Sequence, residues 1–266
     1  MGKVTVITNN KGGVAKTTTA VNLAAALRLC GYDVLCIDLD GQRSLTDTMG
    51  VDTDAIKGTT FDALKARITP YVPPVRVYPS EGKGVGVIDV LPATRDLWAL
   101  EAVLSNEPDR VTRFGTVVDK YRDKYDVILI DTTPTMGLLS ISALYAADNA
   151  IIPTNPDFLS SRGLVNLNGT VQEINKNRPQ GKLEYRVLFC KYDKRKGLHR
   201  LTVEQVRGAF PTFDTVIREN VSLAEAPAIY SDIFYYAPRS NGAQDYKALA
   251  GEFARLNKLK HLNHKY

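Results

Sequence analysis

The feature that most constrains this chain is a short glycine-containing loop close to its beginning. Residues 9–19 read Asn-Asn-Lys-Gly-Gly-Val-Ala-Lys-Thr-Thr-Thr and stand between an apolar strand pattern at residues 4–8 and an amphipathic helix pattern that Gly31 ends. A loop between a strand and a helix can turn its backbone N–H groups toward a polyphosphate. A lysine in such a loop reaches the terminal phosphates, and a threonine hydroxyl binds Mg²⁺. We therefore predict a phosphate-binding loop at the start of the first helix.

The residues of this loop have distinct expected roles. The two glycines permit a close approach of the backbone to phosphate, Lys16 supplies the charge and Thr17 supplies the metal ligand. The predicted nucleotide-binding residues of the loop are Lys11, Gly12, Gly13, Val14, Ala15, Lys16, Thr17 and Thr18. The loop departs from the pattern G-x-x-x-x-G-K-[ST], because Asn10 and Ala15 occupy the two glycine positions. If the backbone at Ala15 needs a positive φ, alanine there costs roughly 1 kcal/mol.

Short β-branched runs alternate with longer helical patterns, as in a parallel sheet with crossover helices. The predicted strands cover residues 4–8, 34–38, 85–91, 127–131, 150–153 and 187–190. The predicted helices after the first cover residues 96–104, 111–121, 138–147, 164–176, 202–209 and 243–259. Residues 69–84 are rich in proline and glycine and are predicted to form an irregular surface excursion. We expect residues 1–266 to form a single α/β domain, with a mostly parallel central sheet and helices on both faces.

Two of the predicted strands end in carboxylates. The second strand runs into Asp38 and Asp40, and the fourth strand runs into Asp131. Acidic groups at the carboxyl ends of parallel strands face the crevice in which ligands bind. One such carboxylate alone could equally cap a helix or form a turn, but three beside a phosphate loop favour the management of Mg²⁺ and water.

The pattern Lys-Gly-Gly-x-x-Lys-Thr at residues 11–17 resembles the deviant phosphate loop of the ParA and MinD families of P-loop NTPases, whose usual form is K-G-G-x-G-K-[ST]. Residues 153–164, 220–227 and 238–246 are similar to further ParA segments, so the resemblance covers nearly the whole chain. In these families the extra lysine, here Lys11, reaches across a nucleotide-sandwich dimer to the phosphates of the partner.

The predicted carboxylates also fall within the resemblance. Residues 38–40 are similar to the start of the D-L-D-P-Q-G-N switch, in which the second aspartate, here Asp40, helps to orient or activate the attacking water. Asp38 would then lie near the metal. Residues 125–139 resemble Y-D-x-x-L-I-D-x-P-P-S-L-G-L-L, which makes Asp131 the residue that holds Mg²⁺. Three residues depart from the switch consensus: Gly41, Arg43 and Ser44.

The resemblance implies an ATPase that uses ATP and Mg²⁺, works slowly and is stimulated by a partner. The implied catalytic residues are Lys11, Lys16 and Asp40. The implied metal ligands are Thr17, Asp38 and Asp131, of which Asp131 also joins the nucleotide-binding residues. We expect ATP to produce a homodimer, and we expect a ParB-type centromere-binding protein or another stimulating protein as the partner.

The basic charge of the chain is concentrated between residues 186 and 207. Seven cationic residues stand there against two acidic ones, and the local excess of +5 equals the net charge of the whole chain. ParA-type ATPases bind DNA non-specifically in this part of the fold, while a solvated loop and helix face is the alternative interpretation. The predicted DNA-binding residues are Lys191, Lys194, Arg195, Lys196 and Arg200.

These observations favour an ATP-dependent, DNA-bound switch that segregates plasmid or chromosome copies. The alternative is a ParA/MinD-like ATPase that positions a protein or membrane-associated cargo. A non-hydrolysing nucleotide-binding scaffold also stays open, because Ala15 departs from the family loop. A reductase of the nitrogenase iron-protein type is disfavoured, because it needs bridging cysteines and none lies near Asp131.

The remaining sequence features concern the location of the protein. No apolar run reaches the roughly 20 residues that a membrane span needs, and no signal peptide pattern precedes the first strand. The basic stretch at residues 255–265 is interpreted as a docked helix with a basic tail, and membrane binding is not expected. The three cysteines, Cys30, Cys36 and Cys190, are expected to be buried free thiols. We expect a cytoplasmic, nucleoid-associated protein.

Overall fold

A seven-stranded sheet runs through the molecule in the computed structural model, which describes residues 1–56, 58–80 and 84–260, with residues 158–162 described by their backbone. The strands are β1 (Lys3–Ile7), β2 (Val34–Leu39), β3 (Val75–Tyr78), β4 (Ile88–Leu91), β5 (Val127–Thr132), β6 (Asn149–Thr154) and β7 (Glu184–Phe189). They stand in the order β3-β4-β2-β5-β1-β6-β7. Neighbouring strands are parallel, except that β3 runs antiparallel to β4 at one edge.

The longer helices connect these strands. They are α1 (Lys16–Leu29), α4 (Leu97–Leu104), α5 (Arg113–Asp119), α6 (Leu138–Ala146), α7 (Phe158–Asn177), α8 (Gly197–Ala209) and α11 (Asn241–Leu256). The short helices are α2 (Ser44–Thr48), α3 (Thr60–Lys65), α9 (Ser222–Glu225) and α10 (Ile233–Tyr236). Two 3₁₀ turns cover Thr53–Ala55 and Ala226–Ile229.

Both faces of the sheet are covered by helices, as the sequence predicts. Strand β2 shows the reason, because every residue of it is buried and alternate side chains enter different clusters. Leu35 and Ile37 pack with residues of α4, α5 and α6, whereas Val34 and Cys36 pack with residues of α1 and α11. A strand that is apolar on both sides needs cover on both sides, and this produces the three-layer α/β arrangement.

The predicted strands and long helices are confirmed, with ends that shift by up to six residues, the largest shifts being at the starts of α7 and α8. The prediction is wrong at Val75–Tyr78, because the irregular excursion contains β3. The sequence there alternates Val-Arg-Val-Tyr, and prolines stand at positions 74 and 79 directly outside it. Prolines are tolerated around a short edge strand, which needs a ladder of hydrogen bonds on one side only. The expectation of three buried thiols is also wrong in part, since Cys30 is exposed.

The register of the central strands determines where the predicted carboxylates meet. Asp38 on β2 pairs with Asp131 on β5, and Ile7 at the end of β1 pairs with Asp131 from the other side. The phosphate loop, which begins two residues after β1, therefore starts near these two carboxylates. Because these strands are parallel, the carboxyl ends of β1, β2 and β5 lie at the same end of the sheet, where α1 begins.

Helix α1 begins with an unusual backbone conformation. Ala15, the residue before its first turn, has φ 72° and ψ 34°, which is the left-handed region that glycine adopts without strain. Because φ is positive, alanine at this position stores roughly 1 kcal/mol of backbone strain, as expected from the sequence for this case. The strain lies in the phosphate loop itself.

We predict that Ala15→Gly raises the free energy of unfolding by roughly 1 kcal/mol, because glycine relieves the left-handed strain at this position. Denaturant unfolding of the nucleotide-free protein measures the change. The matched control is Ala248→Gly, at an exposed position in the middle of α11, which should lower the free energy of unfolding by roughly 1 kcal/mol, since glycine is a poor residue in a helix interior. If both variants are destabilised equally, the backbone at Ala15 carries no strain.

Candidate nucleotide site

A cavity of about 840 Å³ opens where the carboxyl ends of the central strands meet the start of α1. The predicted phosphate-loop residues that line it are Gly12, Gly13, Ala15, Lys16, Thr17 and Thr18. Asp40 lines the same cavity. Val14 does not, because its side chain is fully buried in the core, and it can contribute only its backbone. The structure thus gathers most of the predicted nucleotide-binding residues around one volume.

Lys16 lies inside the loop with little exposure to solvent. Its Nζ donates a hydrogen bond to the backbone oxygen of Lys11, 3.1 Å away, and the residue is 8% exposed. Burial lowers the pKa of Lys16, while the carboxylates of Asp131 and Asp40 raise it. A buried ammonium that is held by a single carbonyl and two nearby carboxylates is well placed to meet phosphate oxygens.

Asp131, at the carboxyl end of β5, is completely buried. Thr17 Oγ1 donates a hydrogen bond to its Oδ2 at 2.6 Å, whereas no described residue offers a hydrogen bond to Oδ1. Burial and the neighbouring carboxylate of Asp38 raise the pKa of Asp131 to about 8. Hard divalent cations take such oxygen ligands, and a buried carboxylate oxygen that lacks a donor is costly. Thr17 and Asp131 therefore fit a magnesium ion.

Asp38 is buried beside Asp131 but has its own hydrogen bonds. Its Oδ2 accepts from the backbone N and the hydroxyl of Thr46, at 2.9 and 2.7 Å, and its Oδ1 accepts from the backbone N of Asp40 at 3.0 Å. Burial raises the pKa of Asp38 to about 6, against the opposing effect of the Thr46 hydrogen bonds. These contacts tie the end of β2 to α2 and to the loop that carries Asp40. The metal role of Asp38 stays a prediction.

Asp40 lies at the start of a tight turn at the edge of the cavity. Its Oδ1 accepts from the backbone N of Gln42 at 2.9 Å, and its carbonyl accepts from the backbone N of Arg43 at 2.8 Å. Arg43 has φ 62°, at the position where the switch consensus has glycine. Its guanidinium donates to Thr53 and Asp47, both at 2.8 Å, so side-chain contacts hold the left-handed residue in place.

Lys11, the extra lysine of the loop, lies at the outer side of the site. Its Nζ forms an ion pair with Asp157 at 2.8 Å, and both side chains are about two-fifths exposed, at 41% and 37%. Asp157 follows β6 in the segment that resembles the family. Within one chain, Lys11 therefore has an acidic partner outside the phosphate-binding part of the loop, and an ion pair this exposed stabilises the arrangement only weakly.

The predicted DNA-binding residues do not lie together. Lys191 follows β7 with φ 55°, and its Nζ donates to the backbone oxygen of Gly13 at 2.9 Å, so this lysine lines the nucleotide cavity. The other four lie outside it, on the exposed loop before α8 and on its first turns: Lys194, Arg195, Lys196 and Arg200.

Two of these four cations have acidic partners. Arg195 is 85% exposed and forms an ion pair with Asp193 at 2.9 Å, and Lys196 pairs with Glu219 at 3.3 Å. The pair with Arg195 holds the pKa of Asp193 far below its usual range. Because both pairs are accessible to solvent, they would compete only weakly with a polyanion.

Another part of the cavity wall comes from segments without a predicted role in the site. The residues that line it are Cys190, Ile217, Arg218, Asn220, Leu223, Pro227, Tyr230 and Tyr246. Arg218 is tied to Asp245 of α11 at 2.6 Å, which fixes this wall to the core. A largely apolar wall with a few polar groups suits the base and ribose of a nucleotide. The resemblance at residues 220–227 is the sequence signal that could have located it.

Comparisons with known proteins agree with this geometry. A family model described as an AAA domain matches residues 2–185. The sporulation initiation inhibitor protein Soj of Bacillus subtilis is 36% identical over 96% of this chain and 99% of that protein. The chromosome partitioning protein ParA of Myxococcus xanthus is 34% identical over 96% of this chain and 89% of that protein.

Solved structures share the fold over almost its full length. Cobyrinic acid a,c-diamide synthase from Mycobacterium smegmatis, with a bound ATP analogue and magnesium, is 28% identical, with a TM-score of 0.80 over 97% of this chain and 96% of that one. The septum site-determining protein MinD from Pyrococcus horikoshii, complexed with Mg-ADP, is 25% identical, with a TM-score of 0.75 over 97% and 98% of the two chains. No described helix is long and apolar enough to cross a membrane. The sequence, the fold and the site together show that this chain belongs to the ParA/Soj family, within the ParA/MinD superfamily of P-loop ATPases.

Proposed function

We propose that the chain is an ATP-dependent partition switch, which dimerises on ATP, binds DNA without sequence preference and hydrolyses ATP to segregate chromosome or plasmid copies. The observation that carries this proposal is the convergence of Lys16, Thr17 and Asp40 on one cavity, with the buried carboxylate of Asp131 directly behind Thr17. Two relatives whose names specify sporulation control and chromosome partitioning match nearly the whole chain. Phosphoryl transfer needs mainly positioning and charge, which these residues can supply.

Each residue of the site has a role in the proposed reaction. Backbone N–H groups of the phosphate loop and the Lys16 ammonium bind the phosphates. Thr17 and Asp131 hold Mg²⁺, which neutralises charge on the phosphate oxygens when it is bound. Asp40 orients the attacking water from the edge of the cavity. Its turn, fixed by the bond from the Gln42 backbone N to its carboxylate, keeps that group in one orientation.

For Lys11 to contact the phosphates bound to a second subunit, its side chain must leave Asp157. In one chain its ammonium pairs with Asp157 at 2.8 Å. A second subunit with bound ATP would offer a stronger anion, and the exposed ion pair opposes the exchange by only about 0–1 kcal/mol. Dimerisation would then depend on the nucleotide, since only ATP carries the γ-phosphate that the partner's lysine meets.

We assign the DNA surface to Lys194, Arg195, Lys196 and Arg200, and we assign Lys191 to the nucleotide. Lys191 already contacts the phosphate loop at Gly13, which supports this division. Cations on an exposed loop can release the counterions of DNA without reading its bases. A ParB-type protein is the proposed stimulating partner, and a cytoplasmic, nucleoid-associated location follows from the DNA binding.

We predict that Lys16→Ala abolishes nucleotide binding, because it removes the ammonium from the phosphate loop. Asp40→Ala should still bind ATP but lose at least about 100-fold in turnover, which is the usual size of an acid–base or water-positioning effect. Light scattering should find the Asp40→Ala variant as a dimer with ATP and mostly as a monomer with ADP. Wild-type turnover by Asp40→Ala would contradict the role of Asp40, and equal dimerisation in both nucleotides would contradict the switch.

The DNA surface predicts a steep dependence of binding on salt. If about two phosphates are neutralised per subunit of the dimer, the log–log slope should be roughly −3 to −4. Arg195→Glu combined with Lys196→Glu should remove most DNA binding and leave ATP binding intact. The control is Lys176→Glu on α7, which reverses an exposed charge on another helix and should change the slope little.

Binding measurements also test the assignment of Lys191 to the nucleotide and distinguish DNA binding from the alternative function. Lys191→Met should weaken ATP binding without a change in the salt slope. If the Arg195→Glu, Lys196→Glu variant keeps its DNA affinity at moderate salt, the proposed surface is wrong. Cosedimentation with liposomes instead of DNA would favour the positioning of a membrane-associated cargo.

A further inference from the structure

Helix α4 contacts two loops beside the nucleotide site: the turn after Asp40 and the loop after β5. The first contact is with the turn after Asp40. The indole of Trp98 lies over Gly41 so closely that a Cβ at Gly41 would lie 2.5 Å from the indole Cδ1 and Nε1. Real Cβ atoms do not approach this closely, so Trp98 in this position admits only glycine at residue 41. Gly41 does not have a positive φ, and the requirement for glycine is therefore one of space.

This contact bears on the group that is proposed to handle water. Gly41 is the second residue of the turn in which Arg43 N bonds to the Asp40 carbonyl and Gln42 N bonds to the Asp40 carboxylate. If Gly41 shifts, both hydrogen bonds and the direction of the Asp40 carboxylate shift with it. Trp98 therefore limits the positions that this turn can adopt, although it is not among the residues that line the cavity.

One turn further along α4, Glu101 contacts the second loop. Its Oε1 accepts a hydrogen bond from the backbone N of Leu139 at 3.0 Å, in the first turn of α6. A Cβ at Gly137 would lie 2.5 Å from the same oxygen. The loop that ends at Gly137 begins directly after β5, which carries Asp131 at its end. Glu101 therefore fixes the far end of the loop that follows the proposed magnesium ligand.

The helix that carries both contacts is itself firmly anchored. Leu97, Leu100 and Leu104 are buried in the core, with exposures of 1% or less. Trp98 and Glu101 are three residues apart and thus neighbours on one side of the helix. Trp98 stays 60% exposed, so its indole covers the turn without being part of the core. One anchored helix therefore provides the reference position for both loops.

We propose that Trp98 and Glu101 are positioning residues that couple the loop after Asp40 to the loop after Asp131, so that both are in place together for hydrolysis. The inference rests on the proposed ATPase function. Neither residue contacts the nucleotide in this account, so their removal should change the catalytic step more than the binding of ATP. If the two residues had a purely structural role, their removal would lower the free energy of unfolding without changing kcat relative to the affinity for ATP.

The test measures kcat and the Kd for ATP separately in single variants. Trp98→Ala should lower kcat by about tenfold or more, because a catalytic group displaced by about 1 Å can lose on the order of 100-fold, while the Kd should change less than about threefold. Glu101→Ala should have the same signature, and Glu101→Gln should restore most of the turnover, because its amide oxygen can still accept from Leu139. The control is Val103→Ala, an exposed residue of the same helix, which should leave both constants unchanged.

A double-variant cycle tests the contact directly. Gly41→Ala should lower kcat in the presence of Trp98, because the added methyl group and the indole compete for one space. In the Trp98→Ala background the same change should cost much less, so the two effects should not add. Additive effects, or a Trp98→Ala variant with wild-type kcat, would overturn the coupling.

The single tryptophan of the chain provides a second readout. Its fluorescence should differ between the ATP and ADP states of the Asp40→Ala variant, since the indole packs against Gly41 in the turn that borders the cavity. An identical spectrum in both states would count against the inference. Absence of ATP turnover in the wild-type protein would instead reject the proposed function, so the two failures are distinguishable.

Discussion

The burial of Asp131 is the constraint on which the rest of the site depends. Its carboxylate lies at the end of the central strand β5, fully shielded from water, with Asp38 opposite it in the register of β2. Only the Thr17 hydroxyl donates to it among the described residues, and Oδ1 has no such donor. A charge in this position is costly unless a cation compensates it, which is why its pKa is raised to about 8. Without a cation the carboxyl can take up a proton, and a magnesium ion bound beside Thr17 would instead compensate its negative charge.

The surrounding loops also store unfavourable conformations. Ala15 and Arg43 both have left-handed backbones, one in the phosphate loop and one in the turn after Asp40, and both stand where the family consensus has glycine. Strained residues persist when neighbouring contacts determine the backbone, and they tend to lie at functional sites. Here those contacts are visible for Arg43, whose guanidinium bonds to Thr53 and Asp47. We interpret the two positions as strain that the surrounding fold supports.

Much of the fold and part of the site could be predicted because their signals are local. The β-branched runs and the loop at residues 11–17 are continuous in sequence, and the carboxylates lie at the ends of strands or directly after them. β3 has a weak local signal, because prolines stand on both sides of a run of only four residues. The contact between Gly41 and Trp98 has no local signal, since the two residues are 57 positions apart and meet only through the packing of α4.

Lys191 shows another limit of sequence reasoning. A count of charges groups it with Arg195 and its neighbours, but charge counts contain no information about the direction of a side chain. The left-handed backbone at Lys191 turns it toward Gly13 and the cavity. The same applies to Asp38, whose hydrogen bonds to Thr46 depend on the placement of α2, a helix too short to predict from its sequence pattern.

The most direct test of the central claim is the affinity for ATP with Mg²⁺ and with a chelator, measured by calorimetry for the wild-type protein and for Asp131→Asn. The account predicts that Mg²⁺ strengthens ATP binding by the wild type by about tenfold or more, equivalent to roughly 1.4 kcal/mol. Asp131→Asn keeps an acceptor for Thr17 but cannot ionise to hold a cation, so it should be at least as stable without nucleotide but lose the magnesium effect. An undiminished magnesium effect in Asp131→Asn would contradict the account.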